Sequence, residues 1–191
     1  MKILVACEFS GTVRDAFTEK GHYAVSCDLL PSERPGYHYI GDVMDILYQG
    51  WDMMIAHPPC TYLSKAGARW LYKNGEIDLK RYGEGLKAKE FFLTLLNSGI
   101  PKICVENPIP FKIFELPEKS QVIQPSMFGD PFMKTTYLWL KGLPLLTPTD
   151  IVKGESTEKA SWFNSCSGET RRKNRSITFQ GIAKAMADQW G

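Results

Sequence analysis

The sequence predicts an α/β fold, a mostly parallel twisted sheet with helices on both faces and an antiparallel edge strand. Three observations predict it. The short apolar runs Ile3–Cys7 and Trp51–Ala56, with Lys102–Glu106, have the character of strands covered on both faces. Helical periodicity falls between them, which is the βαβ alternation of parallel sheets. The alternation then breaks, because Gln121–Gln124 and Thr135–Leu140 are strand-like with only a glycine and proline turn between them, as in an antiparallel pair closing a sheet edge.

Each element has a local cause. After Ile3–Cys7, Ser10-Gly11 signals a turn; Val13, Ala16 and Phe17 then recur at helical spacing until Lys20-Gly21 supplies a basic last turn and a C-cap glycine. Tyr23–Cys27 is a second strand ending at Asp28, and a loop through Pro31 and Pro35 leads to a third around His38–Ile40. Trp51–Ala56 stops at His57-Pro58-Pro59, where two prolines remove ladder donors and force an extended exit. Leu79, Tyr82, Leu86, Leu93 and Leu96 fall on one helical face, and Asn97-Ser98-Gly99 terminates that helix before Lys102–Glu106. Cys60 and Glu106 are thus expected just past strand carboxyl ends, where open α/β sheets carry their ligand crevice. From Gly142 to Arg175 the chain is rich in Pro, Thr, Ser, Gly and charge without periodicity, which predicts a long irregular, partly mobile loop. Gln180–Trp190 fits an amphipathic helix with Thr178 as its cap.

Composition narrows the function classes. At 191 residues, 43% hydrophobic and 23% charged, the chain is expected to form one globular domain, and collagen-like, disordered and mini-protein readings are excluded. With 23 basic and 21 acidic side chains the net charge is +2, so bulk charge predicts no partner and any nucleic-acid affinity must be local. Five cysteines without a CxxC pair favour a reducing cytoplasm. The apolar start is too short for a signal peptide and no run approaches a membrane span, so a cytoplasmic protein with no membrane partner is expected. No metal site is expected either.

Three groups of residues could carry chemistry. Pro58-Pro59-Cys60 holds a thiol on a rigid strand exit, useful for a nucleophile; the bland alternative is a small buried apolar cysteine, which is kept for Cys7, Cys27, Cys104 and Cys166. Glu106-Asn107-Pro108 places a carboxylate in the same crevice, where burial is expected to raise its pKa toward acid catalysis, unless it is merely a capping or ion-paired glutamate. Phe9-Ser10-Gly11, Asp28 and Gly41-Asp42 end successive strands with a glycine turn and two acids, which suits a nucleoside held by its ribose hydroxyls and ring edge. Only Gly11 of a GxGxxG pattern is present, so a ligand without phosphates is expected. His57 either lowers the Cys60 pKa or fills the crevice wall, and the wall is the simpler role. The basic run Arg171-Arg172-Lys173-Asn174-Arg175 is either a phosphate-binding segment or a solvated loop.

In order and rough spacing, Phe9-Ser10-Gly11, Asp28, Gly41-Asp42, the run Pro58–Gly67 and Glu106-Asn107-Pro108 resemble the DNA (cytosine-5) methyltransferases, and most of all short versions from bacteriophage and prophage genomes. The family's nucleophile loop reads PPCQxFSxAG; Cys60, Ser64, Ala66 and Gly67 match it, while Thr61 and Leu63 replace Gln and Phe. The resemblance covers the first 140 residues well and the tail weakly. It implies a Rossmann-like S-adenosylmethionine-dependent methyltransferase fold in a bacterial host's cytoplasm, with Cys60 attacking C6 of cytosine, Glu106 protonating or holding N3, and Lys134 standing for a family arginine. It further implies cofactor contacts from Phe9, Gly11, Asp28, Asp42 and Pro58, with Gly181 in place of a C-terminal Gly-Asn motif. DNA is then the partner, single-stranded or with a flipped cytosine, touched by Ser64, Arg171, Arg172, Lys173 and Arg175. The family's target-recognition domain is replaced by the irregular segment 142–175, so sequence specificity is expected to be low or supplied by a separate protein. A pyrimidine-nucleotide C5-modifying enzyme and a catalytically silent cofactor- or DNA-binding module are the alternatives.

Overall fold

A computed structural model of the chain describes residues 1–156 and 176–191. The strand β1 (Lys2–Ala6) runs parallel to β2 (Tyr23–Asp28) on one side and to β4 (Met53–Ala56) on the other. Beyond β2 lies β3 (His38–Ile40), and beyond β4 lies β5 (Lys102–Pro108), both parallel to their neighbours. The sheet is completed by β6 (Gln121–Ile123) and β7 (Thr136–Lys141) in the order β3-β2-β1-β4-β5-β7-β6, with β7 antiparallel to both strands it touches. This is the mostly parallel α/β sheet with an antiparallel edge that the sequence predicts. The antiparallel pairing is at the expected edge; the reversed strand lies one place in, with β6 outermost. Between β6 and β7 the chain makes more than a turn, adding a 3₁₀ turn (Pro125–Met127) and a short strand, Phe132–Met133, that pairs with Glu155–Ser156.

Strand alternation sorts the core into two layers. Leu4, Ala6, Met54, Ala56, Ile103 and Val105 face the helix α2 (Leu79–Leu96). Their neighbours Ile3, Val5, Met53, Ile55 and Cys104 face α1 (Thr12–Glu19) and α3 (Gln180–Trp190), which pack on the other side.

Three local expectations need correction. The leucine stripe of α2 is buried only at Leu96: Leu79 is 79% exposed and Leu86 is exposed, and the rest of the buried face is Gly85, Phe92 and Leu95. The cause is aromatic. Phe114 lies on the helix at Gly85, where a Cβ would stand 2.1 Å from its ring, and Tyr82 stacks on it with centroids 5.7 Å apart, which turns the helix away from the leucine phase. At α3, Phe179 and not Thr178 is the N-cap residue, and no side chain caps it. Finally, β5 continues two residues past Glu106, because β7 still pairs with Asn107 and Pro108 after β4 has ended. Glu106 therefore lies within a strand.

One buried cation fastens the β1–α1 unit to the β2–β3 loop. Arg14 is 1% exposed; its guanidinium donates to Ser26 and Ser32 hydroxyls at 3.1 and 3.0 Å and to the Arg34 and Pro35 carbonyls at 3.3 and 2.9 Å, and it pairs with Asp15. Buried charge is tolerated only when its donors are this fully used. Among the described residues no helix is long and apolar enough to cross a membrane.

Replacing Arg14 by Met strips these acceptors of their donor inside the fold. Arg14→Met is expected to lower the unfolding free energy by roughly 2–3 kcal/mol, the upper part of the range for orphaned buried polar groups. Urea denaturation checks it, and a loss below about 1 kcal/mol would mean that water replaces the guanidinium without penalty.

Candidate functional site

The parallel pairing of β4 with β5 ends at Ala56 opposite Val105, so the next residues, His57 and Glu106, stand side by side. Their side chains point to the α1/α3 face, and His57 Nδ1 lies 3.2 Å from Glu106 Oε2, with the two side chains 7% and 19% exposed. Lys134, Thr136, Thr178 and Phe179 enclose the same cleft. Burial pushes the Glu106 carboxyl upward, but the His57 hydrogen bond and the charges of Lys134 and His57 outweigh it and hold the group below its ordinary value. The expected raised pKa is thus corrected. Glu106 is an ionised acceptor here, because the dry surroundings contain two basic side chains. His57 faces Glu106, so its role as part of the cleft wall includes a hydrogen bond, and its Nε2 is buried without a partner among the described residues. The cleft measures about 10 Å³, room for one water and not for a pyrimidine ring.

A larger cavity of about 200 Å³ opens on the α2 face. Its walls include Asp28 at the end of β2, Asp42 after β3, Cys7 after β1, Cys27, Pro59 and Phe91. Each carboxylate is fixed through one oxygen: Asp28 accepts from the Leu30 amide at 2.9 Å and Asp42 from the Met44 amide at 3.0 Å, capping a 3₁₀ turn (Val43–Asp45). The second oxygen of each keeps its acceptor capacity for a ligand. Cys7 takes a left-handed backbone, φ 59°, an uncommon conformation for a side-chain-bearing residue, to turn the chain off the strand. Burial, with Asp28 and Asp42 adding to it, pushes both thiols up, that of Cys27 to about 12.

The structure therefore brings together two pairs of the residues singled out in the sequence, Glu106 with Lys134 and Asp28 with Asp42. The others are distributed around them. Phe9 is buried in the β1–α1 turn; Gly11, with φ 73°, precedes α1, where an added Cβ would meet the Arg14 guanidinium at 2.4 Å. Neither they nor Pro58 belongs to the cavity wall, to which the exposed Pro59 contributes instead. Gly181 lies in the first turn of α3, its amide donating to Asp130 at 2.9 Å and its missing side chain admitting the Phe128 carbonyl. Cys60 is half-buried, and its carbonyl accepts from the Leu63 and Ser64 amides at 3.2 and 2.9 Å, closing a tight turn; Ser64 itself is buried. Arg171, Arg172, Lys173 and Arg175 lie outside the described residues. Because His57 faces one cavity and Pro59 the other, the His57-Pro58-Pro59-Cys60 segment crosses the end of the sheet between them.

Sequence reasoning missed Cys7 and Cys27 as cavity residues and the His57–Glu106 contact. The signal for the thiols was available, since both sit at carboxyl ends of strands, where the crevice rule places ligands. The contact required the register.

A carboxylate held below its ordinary pKa stabilises the fold above its unfolded value, near 4.3, and that contribution is lost as pH falls through the lower folded value. The difference in urea stability between the wild type and Glu106→Gln is therefore expected to be largest near neutrality and to shrink on acidification through about pH 4 and below. A difference that grows on acidification would contradict an ionised Glu106.

No family model matches the chain, and no curated protein matches it. Among solved structures it is similar to a presumed DNA modification methyltransferase encoded within an E. coli prophage, at 12% identity and a TM-score of 0.47, over 84% of this chain and 54% of the other. The chain thus spans about half the length of that neighbour.

Proposed function

We propose that the protein transfers a methyl group from S-adenosylmethionine to C5 of cytosine in DNA through a covalent Cys60 adduct, acting as one catalytic domain in which 142–175 stands in place of a target-recognition domain. The observation that carries this reading is the arrangement at the sheet's carboxyl edge. A Pro-Pro-Cys segment runs between a two-carboxylate cavity on one face and an ionised Glu106 beside a lysine on the other. The fold supports it as well.

The cavity fits a nucleoside. Asp28 and Asp42 offer acceptors to hydroxyl and amino donors, Phe91, Val43 and Leu29 offer apolar walls to a ring, and the two negative charges disfavour phosphates. When bound, S-adenosylmethionine supplies an electrophilic methyl. The chain's own residues prepare the base. Cys60 adds to C6, moving the C5–C6 electron pair to C5; after C5 takes the methyl and loses its proton, the thiolate leaves and the double bond returns. Glu106, ionised in the free protein, accepts a hydrogen bond from the exocyclic amine of cytosine, and the base entering the cleft excludes water and raises its affinity for the proton shared with N3. Lys134 compensates the charge. Since the cleft admits only one water, entry of the ring requires Lys134 and Phe179, 5.7 Å apart in a cation–π contact, to shift. Neither C5 nor C6 is accessible inside a base stack, so the cytosine is flipped out or already unpaired. A partner protein supplies any strict sequence preference.

Cys60→Ser is expected to abolish turnover and the covalent complex with 5-fluorocytosine DNA while leaving cofactor affinity unchanged, and Glu106→Gln to slow turnover by roughly 10²–10⁴-fold. Methyl transfer by Cys60→Ser at the wild-type rate would refute the mechanism. In calorimetry, Asp28→Ala is expected to weaken S-adenosylmethionine binding by about 1.5–3 kcal/mol, the range for a hydrogen bond to a charged group. Absence of cofactor binding by the wild type would remove the methyltransferase reading altogether.

A further inference from the structure

The excursion after Cys60, taken with the first turn of α2, is rich in basic and aromatic side chains. Residues 61–81 contain five basic side chains (Lys65, Arg69, Lys73, Lys80, Arg81) against two acidic ones, in a chain whose net charge is only +2. Of the two acids, Asp78 is engaged, capping α2 at the Arg81 amide and pairing with Lys73. Leu63 and Leu71 are buried in the α2-side core and anchor the segment. The residues beside those anchors are turned outward: Tyr62 is 37% exposed, Trp70 59% and Tyr72 44%. A tryptophan left this open forgoes a large apolar burial and keeps its ring available for stacking.

The cations are placed on these rings. Arg69 lies over the Trp70 ring and Arg81 over the Tyr62 ring, each 4.9 Å from the centroid. Tyr72 begins a two-stranded hairpin (Tyr72–Lys73 with Glu76–Ile77) and is braced edge-on by Phe111, centroids 6.4 Å apart. The excursion is also pressed onto the turn that carries Cys60. An added Cβ on Gly67 would stand 2.5 Å from the Thr61 carbonyl, and the Arg81 guanidinium donates to that same carbonyl at 3.3 Å.

Partly exposed aromatic rings interleaved with cations form a stacking platform for unpaired bases with phosphates running alongside. We infer that residues 61–81 form a single-stranded-DNA-binding surface, in which bases stack on Trp70 and Tyr72 while Lys65, Arg69 and Lys80 neutralise the backbone. The inference rests on the proposed DNA substrate and supplies what the motif residues do not, a way to hold the strand on either side of a cytosine entering beside Cys60. Stacking accepts any base, so the surface confers affinity without sequence preference.

The test is fluorescence anisotropy of the full-length chain with a fluorescein-labelled, mixed-sequence 16-mer, without cofactor and apart from any turnover assay. Trp70→Ala is expected to weaken binding by roughly 5- to 100-fold, as removal of a base–aromatic stack does, and Trp70→Phe to recover most of the loss. Lys65→Ala with Arg69→Ala is expected to flatten the salt dependence by about 0.7 per phosphate contact removed. The matching duplex should bind more weakly than the single strand. Because Trp70 is exposed, an unchanged melting temperature accompanies the variants. Wild-type affinity in Trp70→Ala, or equal affinity for duplex and single strand, would overturn the inference. Loss of cofactor binding or of Cys60 trapping with Trp70-dependent strand binding intact would instead overturn the methyltransferase reading and leave this surface standing.

Discussion

The ladder between β4 and β5 sets the geometry on which the candidate site depends. Both strands are buried on both faces, so their register is fixed by six apolar side chains, Met54, Ile55, Ala56, Ile103, Cys104 and Val105, and a slip of one residue would turn every one of them to the wrong layer. Pro58 and Pro59 then end the ladder on one strand only, because they have no amide hydrogen to give. Its neighbour continues against β7. The outcome is a step in the sheet at which His57 and Glu106 are neighbours with no further strand between them and the cleft. Everything polar in that cleft, including Lys134 from the segment before β7, is arranged around this step.

Much of the fold was legible in the sequence because its cause is local. Apolar runs, two prolines, a glycine after a basic turn and the closing Asn-Ser-Gly each specify an element or its end without reference to distant residues. The acids at the ends of β2 and β3 could be brought together on paper for the same reason, since parallel strands all present their carboxyl ends to one edge. The phase of α2 could not. Its leucines suggested a face, and a phenylalanine from a turn nearly thirty residues later, Phe114 against Gly85, decided another. Likewise the ionisation of Glu106 depends on two side chains, His57 and Lys134, whose proximity is a product of pairing between strands far apart in the chain. Arg14 was illegible altogether, because a buried arginine looks in sequence like an ordinary helical surface residue.

The two cavities divide the labour of charge. On the α1/α3 face a carboxylate is neutralised by basic neighbours and lies beside apolar helix residues; on the α2 face two carboxylates stand with no counter-cation in the wall among the described residues. The first environment suits a group that must exchange protons with a ligand, the second a ligand that is itself rich in donors or positively charged. Both cavities lie at the carboxyl ends of the strands, and the segment from His57 to Pro59 runs from one to the other.

That second environment also bears on Cys7 and Cys27. A sulfonium methyl donor alkylates whichever thiolate reaches it, so a cavity lined by sulfur is at risk of spending its donor on itself. Burial, with the fields of Asp28 and Asp42 added to it, pushes both thiols up and so favours their protonated form. The carboxylates proposed to hold the donor thereby add to what burial does first, disfavouring the thiolate form of the sulfurs that share their cavity.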